Sequence, residues 1–243
     1  MPSDQFLFNG HNLSDLVMCR MERPIMPPVE VKSEQVGARH GELFRSARLR
    51  SYTVPVKVWL RSEDRRRVAD IRHALAAMLW TEEPAPLYLP DDPCRYHLAI
   101  VSDATDLGAI TDELPSTTID FMVCDPVAFG SKRKQALASG TSVEVKAGGT
   151  WKSWPVVTIT PSSTSSVKLL NVTTGEAGEI TSATYGGSIP SKQIVLDFEG
   201  QRATVNGATC GVTLASRYFA LDGTQTVKLT GGTGTMEWRE RWL

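Results

Sequence analysis

The sequence predicts a mainly β protein built as two β-sandwich domains, the first carrying one α-helix. Three observations predict it. A sustained helical period occurs once, over about residues 63–80. Elsewhere short runs alternate apolar and polar residues, the period-2 signature of half-buried strands. Finally, the texture changes after Asp125-Pro126. Before it, Ile119, Phe121 and Val123 alternate with Asp120, Met122 and Cys124; after it, "GSKRKQALASGTS" is polar and without a clear apolar period. Proline has no N–H for a ladder and restricts the residue before it, so Asp125-Pro126 ends the last strand of the first domain. The expected domains are 1–127 and 128–243, with 130–142 as a linker or loosely held connection. A chain of 243 residues accommodates two such domains, at about 100–200 residues per domain.

In chain order, Phe6-Leu7-Phe8 runs into Asn9-Gly10, a tight-turn signal, and then "NLSDLVMCRM". "PIMPP" is a rigid, extended connector and "GARHGEL" a loop. The clearest strand follows: Tyr52, Val54, Val56, Val58 and Leu60 share one face, while Thr53, Pro55, Lys57, Trp59 and Arg61 share the other. Pro55 argues for an edge strand or a bulge. The helix opens with Ser62 as N-cap and Glu63 and Asp64 near its positive end. Val68, Ile71, Leu75, Met78 and Leu79 form its apolar stripe; Pro84 and Pro86 prevent continuation. Arg65, Arg66 and Arg67 fan over about 200° of the helix, which reads as a solvated face. "PLYLPDD", "RYHLAIVS" and "STTIDFMVC" complete the first domain as strands, the last following a Gly- and Asp-containing connection. In the second half, "SVEV", "WPVVTIT", "SVKLLNV", "QIVLDF", "RATV", "GVTL", "YFAL", "TVKL" and "MEWRERW" are short strands separated by Gly- and Asn-rich turns. That pattern indicates a sandwich or jelly roll.

A net charge of −1 gives no bulk electrostatic case for nucleic acid or an anionic membrane. No apolar run approaches the ~20 residues that span a bilayer. No basic segment followed by an apolar one marks a signal peptide at the start, so synthesis in a cytoplasm is expected. Cys19, Cys94, Cys124 and Cys210 are far apart and read as free thiols packed as small apolar groups. The histidines His11, His40, His73 and His97 are scattered too, so no metal site is expected.

No catalytic constellation emerges. "TGGTGT" at 230–235 lacks the Lys-Ser/Thr and helix of a phosphate loop, and neither G-x-S-x-G nor H-E-x-x-H occurs. Asp91-Asp92 in "PDDP" is a turn. No catalytic residue and no cofactor is expected. Trp151, Trp154, Tyr218 and Trp238 read as core rings. Tyr185, beside Gly186-Gly187, is the better surface candidate for stacking on a sugar.

The order of these segments resembles the distal tail proteins (Dit) of long-tailed, non-contractile bacteriophages. The resemblance is carried by "FLFNGHNL", "GARHGELFRSARLRSYTVPVKVWL", the helix, "PLYLPDDPCRYHLAI" and "IDFMVCDPVAFG" in the first half. In the second half it is carried by "WPVVTIT", "LLNVTTGE", "IVLDFEGQRATVNG" and "YFALDGTQTVKLTGGTGTMEWRERWL". "LDGT" departs from the family's frequent Pro-Gly turn. The resemblance implies a ring-forming first domain and a galectin-like or carbohydrate-module-like second. It implies a homohexamer in the virion, at the distal end of the tail. Its partners would be the tail tube protein, the tail-tip or tail-associated hub protein, and receptor-binding or side-fibre proteins. DNA would be present only in transit, with no membrane insertion and no enzymatic activity. Candidate ring contacts are Asn9, Gly10, Val54, Pro55 and Val56; Tyr185 is a candidate glycan contact. The competing expectations are a carbohydrate-binding module acting in host adsorption and, behind it, a polysaccharide hydrolase.

Overall fold

The computed structural model describes residues 5–37, 40–61, 64–103, 116–163, 165–189 and 192–243. Two compact units divide the chain, Met1–Phe129 with Leu243, and Gly130–Trp242.

The first unit opens with a hairpin, β1 (Leu7–Phe8) and β2 (His11–Asn12). Asn9 and Gly10 both take positive φ, 49° and 78°, as a two-residue hairpin turn requires. After a 3₁₀ turn come β3 (Val17–Met21), β4 (Val29–Glu34), β5 (Leu43–Leu49) and β6 (Tyr52–Leu60). Helix α1 (Arg65–Leu79) precedes β7 (Ala85–Leu89), β8 (Asp92–Val101) and β9 (Ser116–Val123). Antiparallel pairing runs β2-β1-β7-β8-β9-β6-β3, while β4 and β5 pair only with each other. The connection between β8 and β9 falls largely outside the described residues.

The alternation in β6 does what it predicts: Val54, Val56, Val58 and Leu60 are buried. They meet Ile119, Phe121 and Val123 of β9 and the apolar stripe of α1 in one core. Phe121 lies edge-on to Phe6 and Phe8, with ring centroids 5.8 and 5.1 Å away. The edge-strand expectation at Pro55 is corrected, since β6 lies between β3 and β9. The proline is still accommodated for a local reason. β3 ends at Met21, opposite Val56, so at Pro55 only β9 runs alongside.

Helix α1 starts at Arg65, capped by Asp64, whose Oδ1 accepts from the Arg66 N–H at 3.0 Å. Ser62 and Glu63, expected at this cap, lie outside the described residues, as does the Arg65 side chain. Val68, Ile71 and Leu75 are buried, and Met78 and Leu79 pack against the same core. Arg66 and Arg67 are exposed. Leu75→Ala is therefore expected to cost about 2–5 kcal/mol and Arg66→Ala within about 0.5 kcal/mol. Equal losses in denaturant unfolding would show that the stripe does not dock the helix.

Strand β10 (Ala128–Leu137) begins at the end of the first unit, where Phe129 pairs with Tyr96 and stacks on it at 5.3 Å. The loose connection expected over 130–142 is thus strand as far as Leu137. The second unit continues with β11 (Ser142–Lys146), β12 (Val156–Pro161), β13 (Ser166–Asn171) and β14 (Ala177–Thr181). A short helix α2 (Ser182–Tyr185) precedes β15 (Ile194–Asp197), β16 (Arg202–Val205), β17 (Ala208–Cys210), β18 (Thr224–Thr230) and β19 (Gly232–Trp242). One sheet runs β17-β16-β15-β12-β19-β10 and the other β11-β18-β13-β14. Val157, Ile159, Leu196 and Met236 of the first face Val167, Leu169, Val227 and Leu229 of the second in a single core. This is the predicted fold class.

"GVTL" and "YFAL" are not strands. They belong to a segment laid along β14, where Thr213 N–H donates to the Glu179 carbonyl at 3.0 Å and Arg217 N–H to that of Ala177 at 2.8 Å. Its apolar residues Phe219 and Leu221 are buried without a ladder. The thiol expectation is corrected in part: Cys94 and Cys124 are exposed, whereas Cys19 and Cys210 are half-buried.

Candidate assembly surfaces

The β4–β5 hairpin is two-faced. Its register pairs Val29 with Leu49, Glu30 with Arg48 and Val31 with Ala47, then shifts past Lys32, so that Ser33 meets Phe44 and Arg45 is the extra residue. With side chains alternating along each strand, one face holds Val29, Val31, Ser33, Phe44, Ala47 and Leu49. This face is mainly apolar and open: Val31 is 57% and Phe44 62% exposed, with Glu42 at its edge accepting from the Ser33 hydroxyl. The other face pairs its carboxylates with arginines. Arg48 Nε donates to Glu30 Oε2 at 2.7 Å and Arg45 Nε to Glu34 Oε2 at 2.7 Å, with Arg50 3.8 Å from Glu30. The hydrogen bond from Arg48 lowers the pKa of Glu30.

A polar bracket secures the connector that leads from β3 to the hairpin. Arg23 Nε donates to Asp91 Oδ2 at 2.8 Å, and Arg23 Nη1 lies 2.9 Å from His97 Nε2. Because a guanidinium can only donate, Nε2 of His97 must accept, and the ring is neutral. His97 is only 6% exposed. Burial, and then the charge of Arg23, bring its pKa down from 6.5 to about 4, against a weaker opposite pull from Asp92 and Asp91. The sign follows directly. Between these values the unfolded chain binds a proton that the folded one does not, so stability falls as pH drops through that window, by up to about 3 kcal/mol in all. Melting temperatures at pH 7 and pH 5 check this. The wild type is expected to lose more on acidification than His97→Gln, and equal losses would exclude His97 as the source.

Beside the hairpin's root lies the outward face of β3, β6 and β9. Met18 stands opposite Trp59 and Thr53 opposite Met122. Met18 is 41% and Met122 38% exposed. A depression of about 370 Å³ on this face is lined by Arg20, Glu22, Pro55, Lys57, Trp59 and Thr118 among others. Lys57 Nζ sits 5.2 Å from the Trp59 ring centroid. A larger cavity, about 660 Å³, runs along the last turns of α1, lined chiefly by Leu60, Leu75, Leu79, Trp80, Ile100 and Ile119.

Of the sequence-predicted contacts, Asn9 and Gly10 occupy an exposed turn, with Asn9 N–H donating to the Pro86 carbonyl at 3.0 Å. Val54 and Val56 are corrected. Both are fully buried, because the same alternation that exposes Pro55 turns them into the core, so their side chains cannot meet a neighbour. In the second unit, Trp238 is core and donates to the Ala147 carbonyl at 2.7 Å. Tyr218 lies edge-on to Phe198, and Trp154 packs beneath Arg241, 5.0 Å from the ring. Tyr185 ends α2 rather than sitting in a loop, and is 39% exposed. Among the described residues no cluster of His, Cys, Asp or Glu could hold a metal, and no helix is long and apolar enough to cross a membrane. The hairpin was missed by sequence reasoning, although V-E-V-K at its start alternates as a strand should.

Comparison with known families places both halves. Residues 11–123 match the phage tail protein RIFT-related domain, and residues 148–242 match the siphovirus-type tail component, C-terminal domain. No curated protein matches the chain. Among solved structures, the crystal structure of SPP1 Dit (gp 19.1), titled a paradigm of hub adsorption apparatus in Gram-positive infecting phages, is 14% identical. That likeness covers 98% of this chain and 99% of the other, with a TM-score of 0.81, and concerns the fold. The phage P2 baseplate in its activated conformation with Ca includes a chain 9% identical, with 93% and 90% coverage and a TM-score of 0.48. With the two tail domains following one another along the chain, the protein belongs to the siphovirus distal tail (Dit) family of phage tail structural proteins.

Proposed function

We propose that six copies of this chain close into a ring through their first units at the distal end of the tail. The ring joins the tail tube to the tail-tip hub and to receptor-binding or side-fibre proteins, and leaves a central passage for DNA. The protein works by buried complementary surface, without catalysis. The observation that carries this reading is the β4–β5 hairpin. A two-stranded hairpin is marginally stable by itself in water, yet this one keeps an apolar face open. Such an element makes sense when a neighbouring subunit completes it. The exposed turn at Asn9-Gly10 and the exposed Pro55 supply further contact points on the same unit. A cyclic ring needs two different patches on each copy, one meeting the other. The hub role described for SPP1 Dit supports the same reading.

Sugar binding is the weaker alternative, because Tyr185 is the one well-exposed aromatic among the described residues of the second unit. The deciding experiment is electron microscopy of assembled tail ends. Sixfold symmetry at the level of this protein is expected; a single copy or a threefold arrangement overturns the ring.

A further inference from the structure

We infer that the apolar face of the β4–β5 hairpin docks on the outward face of β3, β6 and β9 of a second copy, with Phe44 seated in the depression beside Trp59. This rests on the ring reading and names its two contacting patches.

The chemistry of the two faces selects the occupant. On the hairpin, Glu30 and Glu34 are already neutralised by Arg48 and Arg45 on the charged side. What remains for a partner is Val29, Val31, Phe44, Ala47 and Leu49. The one charge at the edge of this surface is the negative Glu42, which accepts from Ser33, so the surface offers nothing to a phosphate backbone or an anionic lipid surface. It requires a counterpart rich in apolar side chains, and the same unit carries one, although Arg20, Lys57 and Asp120 share that face. Met18, Pro55 and Met122 are exposed around Trp59, and the depression there is about 370 Å³. Both surfaces are open within one copy, so neither covers the other. Each is satisfied when the hairpin of one copy meets the sheet face of the next.

Size fits a shared contact. The hairpin strands are six and seven residues long, too little alone for the about 1,200–2,000 Å² that a stable interface buries. The hairpin is thus the specific anchor, and other surfaces of the first unit supply the remaining area. The pairing is head-to-tail: hairpin residues meet sheet residues and never their own counterparts, which is the geometry that closes a ring. Arg20, Glu22, Lys57 and Thr118 line the depression together with Met21, Pro55 and Trp59.

The test is a mixing experiment on the full chain. Phe44→Asp breaks the hairpin face and leaves the sheet face intact; Met18→Asp does the reverse. Both positions are exposed, so folding is expected to survive, which circular dichroism and melting check. Val31→Asp and Met122→Asp are the second pair, should either of the first variants fail to fold. Native mass spectrometry is run on the wild type, each variant and their 1:1 mixture. The expected result is wild-type oligomers, monomers for each variant alone, and heterodimers but nothing larger in the mixture, because only one intact interface can form there. Variants that assemble like the wild type overturn the inference while leaving the ring standing. A mixture that stays monomeric overturns the pairing of these two faces. A wild type that is monomeric at every attainable concentration overturns it as well, since the docking described needs no third protein. The ring itself is judged separately, by tail-end symmetry.

Discussion

Phe121→Ala is expected to destabilise the first unit by about 3–5 kcal/mol. The ring is fully buried at the centre of β9, edge-on to Phe6 and Phe8. Those two rings come from the first residues of the chain, and Phe121 is what they close upon. Truncation leaves a cavity that backbone movement cannot fill, because β9 is held by β6 on one side and β8 on the other. A domain's whole stability is about 5–15 kcal/mol, so the loss is a large share of it. Met122→Ala, one residue away on the exposed face, is the control, with an expected cost below about 1 kcal/mol. Urea unfolding of both variants decides. A small loss for Phe121→Ala would mean that the aromatic cluster is not the keystone of this core.

The second large effect is expected at Gly149. Its φ is +78°, and a Cβ there would lie 2.0 Å from the backbone oxygen of Arg241. That oxygen accepts from the N–H groups of Thr150 and Trp151, both at 3.0 Å, so it cannot withdraw without breaking them. Arg241 also stacks on Trp154 and bonds to Glu199. Gly149→Ala combines left-handed backbone strain with a collision against backbone, and a loss above about 3 kcal/mol is expected. Gly140 separates the two causes. It has the same φ of +78° but nothing within 4 Å of its Cβ position, so Gly140→Ala carries only the strain, about 1–2 kcal/mol. Equal melting losses for the two variants would show that close approach to Arg241 plays no part.

Much of this architecture is legible in the residue pattern because it is local. The alternation of β6, the stripe of α1, the Asn9-Gly10 turn and the short strands of the second unit all follow from neighbours in sequence. The order of segments carried the family as well. What escaped has non-local causes. Whether the strand bearing Pro55 is central or marginal depends on where β3 stops. Val54 and Val56 suggested contact residues only while that strand was taken for an edge. The β5 pattern is obscured because the extra residue Arg45 shifts the alternation halfway along, so Phe44 and Ala47 share a face although they are three apart. The bracket between Arg23 and His97 joins positions 74 apart, and no spacing rule announces it. The loose reading of 130–142 failed because Lys132, Arg133 and Lys134 are polar for another reason. They lie in a strand, two of them paired with Glu240 and Glu237 of β19.

The placement of the hairpin has a consequence for how such a chain can diversify. It is an excursion between β3 and β6, two strands directly zipped to each other from Val17–Leu60 to Met21–Val56. The ladder beneath is complete without it. Lengthening a tethered excursion costs little, about 0.6 kcal/mol per doubling, so its tip can be extended, shortened or recoloured while the scaffold keeps its register. Mutational drift can then retune the hairpin's exposed face without first renegotiating the core.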